Sequence, residues 1–283
     1  MIELRDGVTV EGVLEQLRYA ADTAASVSGE GMGGGAGLMI DAYCQWTENA
    51  ERMLRNVLSP EMVSDLVHTR RFWALRASTG AESRLVPMVT AEIETRQREL
   101  QGLIASLEAE RARWADDQAM LVIPDTNMFL QEGEPFDSLK WLDSPAFGVD
   151  VRVVTPIVVI HELDRLKRQG PDARRSMARR SIRWLTKVFA ASAPDARVSL
   201  AGGAVAVTIE AYVTDGPSRP DDADGVVIDV AEWLSVVSGS SARLVTHDLG
   251  MRLRASLYGV EAIQLPDPEP EKPAPARGRA SAR

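Results

Sequence analysis

Four acidic residues stand where a metal-dependent hydrolase would need them. Asp125 closes the apolar run Leu121-Val122-Ile123-Pro124, and Asp248 follows Leu244-Val245-Thr246-His247 in the same way. Glu162 falls about two turns into a helix that opens near Pro156. Asp224 opens a further helix in the run Asp222-Ala223-Asp224-Gly225-Val226-Val227. Carboxylates brought together repel one another, and burial raises their pKa values. Hard divalent cations such as Mg2+ or Mn2+ relieve that repulsion and prefer oxygen ligands. One or two such ions can activate water and stabilise the leaving oxygen in phosphodiester cleavage. With only 3 His and 1 Cys in the chain, a zinc site of the usual ligand type is disfavoured.

The elements that must position these acids follow from the apolar pattern of the second half. Short apolar runs at Leu121–Ile123, Val151–Val154, Val205–Ile209, Leu244-Val245 and Val260–Leu265 read as strands. Helical stretches separate them at Pro156–Lys167, Asp172–Ala191, Asp224–Val237 and Leu249–Leu257. Alternation of this kind, with nearly continuous apolar strands, predicts an α/β domain around a mostly parallel, buried sheet. Ligands of such sheets bind beyond the carboxyl ends of the strands, which is where the four acids fall. Each acid alone is equally well read as a turn former or a solvated helix N-terminus. The four together are not.

The runs Ile123-Pro124-Asp125-Thr126-Asn127, Pro156 through Asp164, Asp222 through Ile228 and Leu244-Val245-Thr246-His247-Asp248-Leu249 resemble, in order and separation, the PIN-domain nucleases. The resemblance covers roughly residues 119–265 and leaves the N-terminal half unrecognised. It implies a Mg2+- or Mn2+-dependent nuclease, commonly acting on RNA. It further implies that Asp125, Glu162, Asp224 and Asp248 are the metal-binding and catalytic acids. Asn127 and Thr246 are expected to orient carboxylates by hydrogen bonds. Asp221 and Asp222 lie close to Asp224, and a register shift would exchange their roles. Asp224 is preferred because Val227 and Ala231 then follow at spacings that suit sheet packing. His161 and His247 each adjoin a proposed ligand and are left outside the catalytic set.

A basic run follows Glu162. Between Arg165 and Lys187 nine basic residues stand against Asp172, a local charge of +8 in a chain whose net charge is -9. Arg175, Arg179 and Arg183 recur every four residues, and with Arg165 and Arg168 they form a stripe expected to hold the phosphates of RNA. Aromatic residues make up only 5% of the chain, so little base selectivity is implied.

The N-terminal part, residues 1–118, reads as a smaller all-helical region. The glycine-rich stretch 28–37 is expected to be a flexible connector. Ser59-Pro60-Glu61 marks a helix start, and Pro87–Trp114 suits a long amphipathic helix able to pair with a second copy or a protein partner. Trp46, Trp73 and Trp114 are read as core or interface packing. Residues 266–283, rich in Pro, Ala, Glu and Arg, are expected to be a disordered tail. No apolar run reaches the length of a membrane span, no signal peptide opens the chain, and the lone Cys44 cannot form an internal disulfide, so a cytoplasmic setting is expected. Other readings compatible with the sequence are a DNA-directed nuclease, the toxin of a toxin–antitoxin pair, and a catalytically silent nucleic-acid-binding scaffold.

Overall fold

In the computed structural model, the chain divides into two compact units. One comprises 1–118 with 232–241, the other 119–231 with 242–283. The structure describes residues 2–5, 7–30, 35–78, 85–115, 119–130, 150–190, 197–200, 207–213 and 222–264.

The first unit is built from five helices among the described residues: α1 (Val10–Glu30), α2 (Gly35–Leu54), α3 (Pro60–Val67), α4 (Arg70–Arg76) and α5 (Leu85–Ala115). Ser59 caps α3 by accepting from the Met62 N–H with Pro60 in the first turn, and Thr69 caps α4 by accepting from the Phe72 N–H. Leu14, Leu17, Tyr43, Phe72, Ile93, Leu100 and Trp114 form its apolar interior. Within it Glu92 is buried against Arg96 (3.2 Å) and accepts from the Thr69 hydroxyl at 2.7 Å. The expected connector at 28–37 overlaps both flanking helices, and its residues 31–34 lie outside the described residues. Helix α1 runs through Glu30, and α2 already begins at Gly35. Packing of α1 against α2 and α5 offsets the helical cost of the glycines. Trp46 and Trp114 are buried, whereas Trp73 is 54% exposed and is not a core residue.

The second unit is an α/β domain. Its elements are β1 (Met120–Pro124), a short 3-10 turn (Thr126–Leu130), β2 (Val151–Pro156), α6 (Ile157–Gln169), α7 (Asp172–Phe189), β3 (Val198–Leu200), β4 (Val207–Tyr212), α8 (Ala223–Ser238, of which residues from 232 onward belong to the first unit), β5 (Arg243–Val245), α9 (Leu249–Leu257) and β6 (Glu261–Ile263). The sheet order is β3-β4-β2-β1-β5-β6. All neighbours pair in parallel except β3, which runs antiparallel to β4. Every residue of β2 is buried, and so is β1 beyond Met120. Helices cover both faces of such strands, hence their unbroken apolar runs. Arg152 breaks the run on β2 and is neutralised in the interior by Glu210 of β4, Nε to Oε1 at 2.6 Å.

The parallel sheet agrees with the sequence expectation, with two local differences. The strand read at Val205–Ile209 lies at Val207–Tyr212, and β3 has no counterpart in the sequence reading. The tail 266–283 and the acid Asp221 lie outside the described residues. No helix of the described residues is long and apolar enough to cross a membrane.

Candidate active site

The centre of the sheet sets the site. β1 lies between β2 and β5, and all three end at the same edge. Asp125 is the first residue past β1, and its N–H donates to the Val245 carbonyl at 3.1 Å, extending the ladder by one step. That bond holds the backbone of Asp125 in line with the strand. Its side chain is only 3% exposed. One carboxylate oxygen accepts from the Met128 N–H at 2.9 Å, which closes the 3-10 turn, and the other accepts from the Thr246 hydroxyl.

Thr246 plays a second part. Fully buried, it follows β5, and its hydroxyl oxygen accepts from the Asp248 N–H at 3.0 Å. One hydroxyl therefore ties the floor of the site to the start of α9. Asp248 caps that helix by accepting from the Met251 N–H at 3.1 Å, while its residue remains exposed. Glu162, in the second turn of α6, accepts from the Thr126 hydroxyl at 2.6 Å and from Arg165 at 3.3 Å. The 3-10 turn turns Thr126 inward and leaves Asn127 exposed, so the threonine makes the contact expected of the asparagine.

The third acid region resolves into two different environments. Asp222 precedes α8; its carboxylate accepts from the Gly225 N–H at 3.0 Å and from both terminal nitrogens of Arg254, one at 2.6 Å. Asp224 lies in the first turn of α8 and reaches solvent, with Val227 and Ala231 buried behind it.

The electrostatics link these groups. The Asp125 carboxyl is pushed up by burial above all; the Thr246 and Met128 hydrogen bonds oppose this, the charge of Asp224 adds to it, and His247 counters it. The Asp224 carboxyl is raised by partial burial, then by the charges of Glu162, Asp248 and Asp222, against the pull of Arg254. The charge of Asp224 thus acts on Asp125, and those of Glu162, Asp248 and Asp222 act on Asp224.

Whether this set suits a cation is a question of donor chemistry. Among the described residues, no three or more His, Cys, Asp or Glu side chains form a ready-made metal cage. Mg2+ does not need one: it usually keeps several waters and is held by one or two carboxylates plus substrate phosphates. Carboxylates whose ionised forms are opposed by burial and by one another fit a hard cation of that kind.

The basic stripe is thinner than its charge count. Arg165 turns to Glu162, Lys167 and Arg168 to Asp164 (2.6 and 3.6 Å), and Arg175 to Asp172. Arg179 and Arg183, with Arg174, Arg180 and Lys187, stay exposed on α7, and none has an ion-pair partner among the described residues. Helix α7 is fastened beside the site by the Ser181 hydroxyl, which donates to the Phe129 carbonyl at 2.6 Å.

Sequence reasoning passed over Thr126 as a contact to Glu162 and Arg254 altogether. Thr126 adjoins Asp125 and was open to notice; Arg254 meets Asp222 from 32 residues away, with no local signal.

A protein-family profile described as PIN domain matches residues 122–265, half of the chain. No curated protein matches. Among solved structures, "a domain of a functionally unknown protein from Methanocaldococcus jannaschii DSM 2661" is similar over 54% of this chain and 96% of that one, at 18% identity and a TM-score of 0.36.

Proposed function

The chain belongs to the PIN-domain family, and from that premise we propose that it is an endoribonuclease. It would hydrolyse RNA phosphodiester bonds at Asp125, Glu162, Asp224 and Asp248 with Mg2+ or Mn2+. Family membership by itself carries a nuclease-type fold, and divalent metals are typical of such nucleases. The observation that supports the finer reading is the buried Asp125 at the end of the central strand, coupled in charge to Asp224, which is coupled in turn to Glu162 and Asp248.

The residues divide the work by their surroundings. Asp125 has both oxygens held by fixed donors, so it is the rigid anchor of the site. Glu162 is steadied by Thr126 and keeps its second oxygen toward Arg165. Asp224 and Asp248 reach solvent from two helix starts, where a phosphate chain could meet them. A divalent ion, when bound, supplies Lewis-acid charge and a lowered pKa for water. The exposed arginines of α7 attract the backbone without reading sequence.

The test is cleavage of end-labelled RNA and of DNA of matched sequence, with Mn2+ or Mg2+, by the wild type and by Asp125→Asn. RNA cut by the wild type alone supports the reading. Equal cutting by both proteins points to a contaminant, and preferential cutting of DNA overturns the substrate class. Thr246→Val, which removes the hydroxyl shared by Asp125 and Asp248 at nearly constant volume, should lower metal affinity or kcat by about 10–100-fold. Mn2+ titration and single-turnover cleavage would measure both.

A further inference from the structure

We propose that Asp222 and Arg254 form a clamp that positions Asp224 over the site, and that residue 225 is glycine to leave room for it. This rests on the site reading above, with Asp222 and Arg254 as positioning residues rather than ligands. Three observations carry it. Arg254, on α9, donates through Nη1 to Asp222 Oδ1 at 2.6 Å and through Nη2 to the other oxygen. A planar guanidinium fork meeting a carboxylate edge-on fixes orientation as well as distance.

The same carboxylate accepts from the Gly225 N–H at 3.0 Å, and the Asp222 carbonyl accepts from the Val226 N–H at 3.2 Å. Asp222 therefore caps the turn that carries Asp224. Because Arg254 lies in the last turn of α9, the helix that Asp248 caps, the clamp ties the start of α8 to the far end of that helix. It also pairs the additional carboxylate of the cluster with the Arg254 guanidinium.

The third observation is the space at Gly225. A Cβ there would fall 2.5 Å from Asp222 Oδ2 and 2.7 Å from Arg254 Nη2, closer than atoms can pack. The obstructed atoms are side-chain ends, so alanine would open the clamp and leave the helix backbone in place.

Gly225→Ala thus breaks the clamp without changing any charge, and alanine favours the helix over glycine. The wild type, Gly225→Ala, Arg254→Gln and Arg254→Lys would be compared by Mn2+ calorimetry, thermal midpoint and RNA cleavage. The expected result for Gly225→Ala is Mn2+ affinity or kcat lower by about 10–100-fold, with a midpoint equal to or above that of the wild type. Arg254→Lys should fail to rescue kcat, since an ammonium cannot make the two-pronged contact. Adding Arg254→Gln to Gly225→Ala should cost little more than either alone, as for two parts of one unit.

Wild-type affinity and kcat in Gly225→Ala would overturn the clamp and leave the site reading intact. So would a loss of kcat that only followed a lowered midpoint. A wild type that neither binds Mn2+ nor cleaves RNA would overturn the site reading, and the clamp with it.

Discussion

Asp125→Asn should yield a protein that melts higher than the wild type without metal and is nearly inactive with it. The carboxyl of Asp125 is raised in the folded protein, first by burial and then by the charge of Asp224. For an acid raised on folding, the stabilising contribution is complete below the ordinary carboxylate range and is lost as pH rises through the folded-state value. At neutral pH the wild type therefore bears the cost of an ionised, buried group. Asparagine removes that charge at almost the same volume. Its amide oxygen still accepts from the Met128 N–H, and its NH2 faces the Thr246 hydroxyl. In EDTA at pH 7 the substitution should add on the order of 1 kcal/mol of stability, the usual size of such an active-site trade-off.

The gain should shrink as pH is lowered, because the wild-type carboxyl then takes up its own proton. Asp224, raised by partial burial and by three neighbouring acids, has the same sign. With Mn2+ present, losing one anchoring carboxylate should remove several kcal/mol of transition-state stabilisation, about 10²–10³-fold in rate. Thermal melts in EDTA across pH, alongside cleavage rates, check both halves. A less stable Asp125→Asn at pH 7 in EDTA would contradict the assigned burial cost.

Replacing Arg179 and Arg183 together by glutamine should weaken RNA binding and flatten its salt dependence. Both are exposed on α7 without an ion-pair partner among the described residues. Each phosphate contact removed should lower the slope of log affinity against log salt by about 1, so the pair should lower it by about 2. The effect should fall on KM and leave kcat near its wild-type value, since neither residue is part of the carboxylate cluster. Arg168→Gln and Arg175→Gln serve as controls. Their guanidinium groups already face Asp164 and Asp172, so the slope should change less. Binding isotherms on a fluorescent RNA at several salt concentrations read this directly, and equal slopes for all variants would contradict it.

What the sequence revealed depended on how local its signal was. The strands β1 and β2 are buried on both faces, so their apolar runs stood out, and helix α9 was legible at its full extent, Leu249–Leu257. From the strands so read, the strand-end rule gave the expectation that Asp125, Glu162, Asp224 and Asp248 fall at one edge. The edge strand β3 was not legible, being three residues long with Ser199 exposed between Val198 and Leu200. The choice between Thr126 and Asn127 was also hidden. Two polar neighbours look alike until the turn sends one inward and the other out. Gly37 lies inside α2 because packing within the helical unit, a tertiary effect, outweighs its local preference, whereas Gly35 opens that helix with a positive φ that suits glycine. Arg254 belongs to the same category: the charge was visible, but its partner lay 32 residues away on another helix.

The central claim is that four side chains from separate elements make one cation site. Calorimetric titration with Mn2+ tests it most directly, applied to the wild type and to Asp125→Asn, Glu162→Gln, Asp224→Asn and Asp248→Asn in turn. Saturable binding by the wild type, weakened by each of the four changes while the fold is retained, is the expected result. Binding of equal affinity and stoichiometry in all five proteins would contradict it.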